Sequence, residues 1–402
     1  MIKTTTAIIF ILVLYFMYGL YLAQHGAYVI PGGLKRENPT GFYDYRGVSN
    51  VQTNLSRGSS TPAEVILEAK KAGLDFLILT DAAPSDKEDA LNSYNGNMLV
   101  MNETEYSYLD MRFLHFSGAK DSAPNELNEA RLYLTDILSK NENKDRDNLV
   151  VMALPFNNGP TWTDPFPAGI DGIEILNPKG ISQNAWANSK LNVAWSLILY
   201  PFSPSLAFLR LFQEPQEEIS LWDKLLQKNK IIGLAGADAS ARAIPFASYL
   251  MKFPSYEKSF EIASNHVLIE AELNGNYLSD RQKILKALKH GQFYFSIDLL
   301  GDPKGFAAYI QDNEKIYSMG STIKFRKGLR LYAKLPIEPT DFYEIVIFKN
   351  GERVYTSNNP ELSYEVPSSG VYRVTVRVSA YLPLPDAKKW ITWIYTNPFF
   401  VN

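Results

Sequence analysis

The chain has 402 residues, 46% of them hydrophobic, enough for two globular domains and an appendage. A net charge of −3 offers no electrostatic case for binding nucleic acid. With no cysteine, disulfides, thiolate metal sites and cysteine nucleophiles are excluded.

From Thr4 to Gln24 the chain carries no charge, and its centre reads "AIIFILVLYFMYGLYLA". At about 1.5 Å per residue this stretch spans roughly 30 Å, the thickness of a bilayer's hydrocarbon. Tyr15, Tyr18 and Tyr21 suit an interfacial end. The stretch predicts an uncleaved single-pass anchor over 1–24, with residues 4–24 in the membrane. A cleaved signal peptide is the competing reading. Its apolar region would be unusually long, and Tyr21 with Ala23, or His25 with Ala27, fits a cleavage site poorly. Lys3 and the α-amine on one side face Lys35 and Arg36 on the other, offset in part by Glu37, so charge barely orients the span. Short N-terminal tails usually stay cytoplasmic, which points to an extracytoplasmic body.

A polar linker, "PGGLKRENPTG", lies within 25–45. Next, "STPAEVILEAKKAGLDFLILTD" predicts a helix and then a strand. Thr61 is the N-cap, Pro62 the first helical residue, Glu64 closes a capping box and Gly73 ends the helix. Phe76–Thr80 is an apolar run of buried-strand type. "NLVVMALP", "GIDGIEILN" and "KIIGLAGAD" repeat the pattern, with helices expected in "PNELNEARLYLTDILSKN" and "SLWDKLLQKN". Strands alternating with helices imply a largely parallel sheet or barrel over 46–304, with ligands at the carboxyl ends of its strands. From 305 to 402 the alternation has period two, and Asn350-Gly351 is a two-residue hairpin signal. This texture predicts a small antiparallel β-sandwich.

Within the first body, "VSNVQTNLSRGSS" at 48–60 has the spacing of a metal-binding loop without its ligands. Histidine at 50 and 52 and aspartate at 57 would make it HxHTxxSDG, the opening signature of the PHP (polymerase and histidinol phosphatase) metallohydrolases. With the βαβ order and the other strand ends, residues 46–300 resemble that family. The terminal "WIYTNPFFVN" is similar to the end of its membrane- or export-associated CehA/McbA-type branch. The resemblance implies a distorted (β/α)7 barrel followed by a β-sandwich, and an ancestral activity on phosphate or related esters with two or three metals. Carried across, the HxH pair falls on Asn50 and Gln52, and TDH on Thr80, Asp81 and Ala82. The glutamate of the GxE strand falls on Glu105 and the histidine seven residues later on Arg112. The histidine of the AHP turn falls on Leu154, and SDAH on Ala237, Asp238, Ala239 and Ser240.

Every matched histidine is therefore replaced, and Asp81, Glu105 and Asp238 remain. Amides are weak metal ligands, Leu and Ala are none, and Arg does not deprotonate to bind one. A family-type zinc or manganese cluster needs several imidazoles and carboxylates at about 2.0–2.2 Å, so no metal cofactor is expected. The histidines, at 25, 115, 266 and 290, supply no substitute cluster. The alternative is one hard cation, Mg or Mn, on Asp81, Glu105 and Asp238. Ionised carboxylates about 6 Å apart repel by roughly 3 kcal/mol each pair, so a proton or a fixed cation is required. Arg57, where the family loop has Asp, and Arg112 are the candidate counter-ions, and Arg242 is a candidate anion ligand.

Asn50 and Gln52 are expected to satisfy strand-end backbone groups. Glu174 fits both a site role and ordinary packing. Trp162, Trp186 and Trp195 read as core aromatics or as the lining of a cleft. Between Lys190 and Arg210 runs an uncharged stretch, 191–209, broken by Pro201 and Pro204. It reads as two short core helices or as an apolar element lying on the bilayer. Function divides three ways: a membrane-anchored pseudoenzyme binding an unknown small molecule or protein partner, an active PHP-type phosphoesterase, or an envelope spacer. Bound metal with turnover separates the second, and ligand-induced stabilisation separates the first from the third.

Overall fold

The computed structural model describes residues 2–31, 40–82, 91–108, 111–116, 148–156, 166–246, 249–385 and 388–402, with single positions between 132 and 139. The helix expected over 124–141 lies largely outside them, as does Trp162.

Helix α1 (Ile2–Gln24) precedes strand β1 (Tyr43–Val51). Helix α2 (Pro62–Lys71) begins with the predicted box: Thr61 Oγ1 accepts from Glu64 N at 3.3 Å, and Thr61 N donates to Glu64 Oε2 at 3.1 Å. Gly73 ends it at φ +72°, in the left-handed region open to glycine. Strands β2 (Phe76–Ala82), β3 (Met98–Tyr108), β4 (Met111–Phe116), β5 (Leu149–Ala153), β6 (Gly172–Leu176) and β7 (Ile232–Ala235) follow in spatial order beside β1. The β1–β2, β2–β3, β5–β6 and β6–β7 pairs are parallel, while β3–β4 and β4–β5 are antiparallel. In β2, Phe76 and Ile78 pack into one core and Leu77 and Leu79 into another, as expected of a strand covered on both faces.

The chain just after β7 returns to the end of β1. Ala237 N donates to Ser49 O at 2.9 Å, Ala239 N to Asn50 O at 3.1 Å, and Gln52 N to Ala239 O at 3.0 Å. The far side of β1 pairs antiparallel with β8 (Ser264–Ile269), and β8 with β9 (Phe293–Ser296).

Beyond residue 304 a four-stranded antiparallel sheet is built from 307–312, 315–317, 330–334 and 361–365. A second antiparallel group includes 343–349, 352–357, 370–381 and 388–396. The 349–352 connection is the predicted hairpin, with Asn350 at φ +52° and Gly351 at φ +87°. This second group does not stop at the expected boundary. Tyr294, Phe295 and Ser296 of β9 pair with Thr396, Tyr395 and Ile394, so one hydrogen-bonded sheet runs through both regions.

Two expectations change. Residues 25–45 are not linker throughout: Val29 and Ile30 are buried, Val29 N donates to Leu300 O at 2.8 Å and Thr340 N to Val29 O at 2.8 Å. The 191–209 stretch forms two short helices, but they are not equally core. Helix α3 (Pro178–Asn188) leads into α4 (Lys190–Leu199), whose Leu191 is 84% exposed, with Leu197 and Ile198 also exposed. Helix α5 (Pro204–Leu211) buries Leu206, Ala207 and Leu209 beneath it.

Candidate functional site

The matched positions converge where the parallel strands end. Asn50 lies next to the end of β1 and Gln52 just follows it, Asp81 nearly closes β2, and Glu105 lies on β3 opposite Leu114 of β4. Arg112 enters from β4, Leu154 follows β5, Glu174 lies on β6, and Asp238 follows β7. Asn50, Leu154 and Asp238 have φ of +60°, +48° and +41°, a region that Asn and Asp enter with modest strain and that is costly for Leu154. Such outliers collect at ligand and catalytic sites, where surrounding structure enforces them.

Arg112 is the hub. Its Nε donates to Glu105 Oε1 at 3.0 Å and its Nη2 to Glu105 Oε2 at 2.5 Å, a two-pronged grip on one carboxylate. Nη1 donates to Asp238 Oδ2 at 2.8 Å, and Nη2 also reaches Asn50 Oδ1 at 3.0 Å. Burial works against the Arg112 charge, but the bond to Glu105 and the charge of Asp238 outweigh it, so its pKa moves further up.

Around this hub the amides pair with side chains. Gln52 Nε2 donates to Asn50 Oδ1 at 2.8 Å and to Glu105 Oε2 at 2.9 Å. Asn50 Nδ2 donates to Glu174 Oε1 at 2.7 Å. The expectation that both amides satisfy strand-end backbone is corrected: the backbone of this buried strand end already pairs with Ala237 and Ala239, and the amides instead supply donors to buried carboxylates. Glu174 is fully buried, and it also accepts from Asn177 Nδ2 at 2.9 Å and from Leu154 N at 3.2 Å. A methyl group on Gly236 would collide with its Oε1, so glycine there makes the carboxylate's place. Burial, then the nearby Asp238 charge, push the Glu174 carboxyl up to about 7, against the pull of Arg112, Asn177 and Asn50.

Asp81 is held apart from the hub by the 53–56 loop. It accepts from Thr53 N at 2.7 Å, from Thr53 Oγ1 at 2.8 Å, and from Ser56 Oγ. Arg57 Nη2 pairs with Glu105 Oε1 from the rim, its side chain 49% exposed. Ala82 is exposed beside Glu105, and the Ser240 carbonyl accepts from Ser59 N at 3.0 Å and Tyr256 OH at 3.1 Å. Arg242 begins a strand whose side chains are outside the described residues. Trp186 is exposed, and Trp195 Nε1 donates to Leu384 O at 2.6 Å.

Three site residues escaped the sequence reading. Asn177 caps α3, accepting from Lys179 N at 3.0 Å while its amide serves Glu174. Its signal was the Asn-Pro pair of "ILNPKG", an N-cap followed by proline at the first helical position. Lys179 Nζ lies 3.7 Å from Asp238 Oδ2, and Thr53 binds Asp81 as above. Beside Lys179 and Asp238 opens a cavity of about 420 Å³ walled by α3, α4 and α5.

The donor set does not fit a divalent cation as it stands. Both Glu105 oxygens and Asp238 Oδ2 already accept from guanidinium or amide groups, and both Asp81 oxygens accept from the 53–56 loop. Among the described residues, no three His, Cys, Asp or Glu side chains are grouped to hold a metal.

No protein-family model and no curated protein matches the chain. Among solved structures it is similar to a two-domain protein from Bacteroides vulgatus ATCC 8482 containing a predicted PHP-like metal-dependent phosphoesterase. The TM-score is 0.38 at 13% identity, covering 90% of this chain and 99% of that one. It is also similar to a predicted metal-dependent phosphoesterase from Bifidobacterium adolescentis ATCC 15703. There the TM-score is 0.28 at 12% identity, over 52% of this chain and 92% of that one.

Proposed function

We propose that the protein is a membrane-anchored, PHP-like pseudoenzyme: a distorted (β/α)7 barrel of that type, followed by a β-sandwich, in which an internal ion network replaces the metal centre. The observation that carries this is Arg112, whose guanidinium bridges Glu105 and Asp238 between former ligand positions. The charges come close to balance without metal. Glu105 and Asp238 pair with Arg112, Arg57 and Lys179, Asp81 is satisfied by the 53–56 loop, and a Glu174 carboxyl titrating at about 7 holds a share of a proton. The left-handed backbone at Asn50, Leu154 and Asp238 fits a scaffold that keeps the conformation of a site whose ligands have changed. The anchor over 1–24, the single-pass topology and the extracytoplasmic body belong to the same proposal.

Elemental mass spectrometry of the purified chain, with turnover of a generic phosphate ester, tests it. The expected result is no stoichiometric Mn, Zn or Fe, and no activity when Mg or Mn is added. Stoichiometric metal with turnover would overthrow it and revive a hydrolase built on Asp81, Glu105 and Asp238.

A further inference from the structure

The cavity beside the ion network has walls unlike the network itself. Its rim includes the exposed Trp186 and Leu197, and its floor includes the buried Ala207, Ala241 and Ile262. Lys179 and Asp238 stand at its polar margin. A space of about 420 Å³ with mostly apolar walls suits a hydrocarbon chain better than a polar metabolite.

The source of such a chain is indicated by α1. Thr4–Gln24 is 21 residues long with mean hydropathy 2.2, long and apolar enough to cross a bilayer. The helix packs on the turn joining the two helices that wall the cavity. Tyr15 OH donates to Ile198 O at 2.8 Å, the Tyr15 and Phe202 rings lie 5.1 Å apart edge to face, and Gly19 sits against the Phe202 ring. Tyr15 and Gly19 lie nine and five residues before the helix end. At 1.5 Å per residue, Ile198 and Phe202 sit roughly 7–14 Å inside the apolar layer that α1 spans. In-plane apolar helices bury their faces to a comparable depth of about 5–10 Å. The exposed Leu191, Leu197 and Ile198 of α4 then face acyl chains rather than water.

We infer that the cavity between α3, α4 and α5 takes up one acyl chain of a bilayer phospholipid, entering at Trp186 and Leu197, with Lys179 beside the chain's polar end. This goes beyond the proposed pseudoenzyme reading and rests on its membrane placement, not on loss of the metal.

The full chain is reconstituted into phosphatidylcholine vesicles in which one acyl chain carries a photoactivatable diazirine. Vesicle flotation is scored first, and adducts are then mapped by mass spectrometry. Flotation with adducts on Ala207, Ala241 or Ile262 is expected. Those adducts should vanish in Ala187→Trp, where an exposed residue lining the mouth is enlarged, and in Leu197→Trp, with thermal midpoints unchanged. Flotation with adducts confined to α1 and the outward side chains of α4 overturns the inference alone. Floor adducts that persist in both tryptophan variants overturn the entry route and with it the assignment. Failure to float overturns the membrane placement and the inference together.

Discussion

Arg112 and Arg57 both meet Glu105, yet their removal should have very different consequences. Arg112→Met strands Glu105 and Asp238 in a buried setting, and breaking a buried pair from one side costs about 3–5 kcal/mol. Arg57 is half exposed, so Arg57→Ala should cost no more than about 1 kcal/mol. Thermal denaturation of both variants in detergent checks the ratio, and equal small losses would remove Arg112 from the centre of the site. Glu174 supplies a pH test. Its pKa is about 7 when folded against an ordinary 4.5, so the folded state binds the extra proton between those values. Stability therefore falls as pH rises from about 4.5 to about 7, by roughly 3 kcal/mol if the shift is fully realised. Glu174→Gln should flatten that slope in urea titrations, and an unchanged slope would deny the shift. At this scale the spacing of Asn50, Gln52, Asp81, Glu105, Arg112 and Asp238 was legible in sequence, because strand ends fix where such side chains point. The partner of each amide was not. Asn50 bonds Glu174, 124 residues away, and only the convergence of strands brings them together.

The elements with local causes were legible: the capped α2, the Asn350-Gly351 hairpin, and the buried strand at Phe76. Elements fixed by long-range contact were less so. An uncharged run such as 191–209 has the same composition whether it fills a core or meets lipid, and only packing against α1 and α5 distinguishes α4. The junction of β1, β8 and β9 was also invisible, since it joins residues more than 200 apart. There Asp44 Oδ1 lies 2.9 Å from His266 Nδ1, and Asp44 Oδ2 accepts from Tyr294 OH at 2.7 Å and Gly305 N at 2.9 Å. Burial opposes both charges, yet the pairing with Asp44 raises the His266 pKa above 6.5 and the His266 charge helps lower Asp44 below 3.8. The raised histidine contributes stability that is complete below about 6.5 and lost as pH climbs through its folded pKa. The lowered aspartate contributes stability present above about 3.8 and lost as pH falls through its own. The junction should therefore hold a plateau between these limits. Asp44→Asn should reduce both the acid and the alkaline loss in denaturant midpoints measured from pH 3 to 9. A variant with the wild-type profile would show that the pair does not titrate with folding.

Across the whole molecule, the short path from α1 to the body constrains where the body can sit. Only five residues separate Gln24 from the buried Ile30, a reach of at most about 20 Å. Side chains shorten it further. Leu22 is buried, and Leu384 N donates to Tyr18 OH at 2.8 Å, so the 382–385 turn lies against the end of the helix. If α1 is anchored, the body rests on the bilayer and α4 meets it directly. If α1 is instead removed as a signal sequence, the surfaces that cover Tyr15, Gly19 and Leu22 become exposed beside Leu191, Leu197 and Ile198. These two states behave differently in solution. A fragment of residues 26–402 should keep affinity for vesicles through α4, weaker than the full chain, because an in-plane apolar face binds less tightly than a spanning helix. Leu191→Glu with Ile198→Glu should abolish that residual binding without changing the fragment's far-ultraviolet circular dichroism, since both side chains are exposed. Co-sedimentation with lipid vesicles reads both effects. A fragment that stays monomeric and never sediments with lipid would mean that α4 faces water in the mature protein. In that case α1 would be better read as a leader than as an anchor.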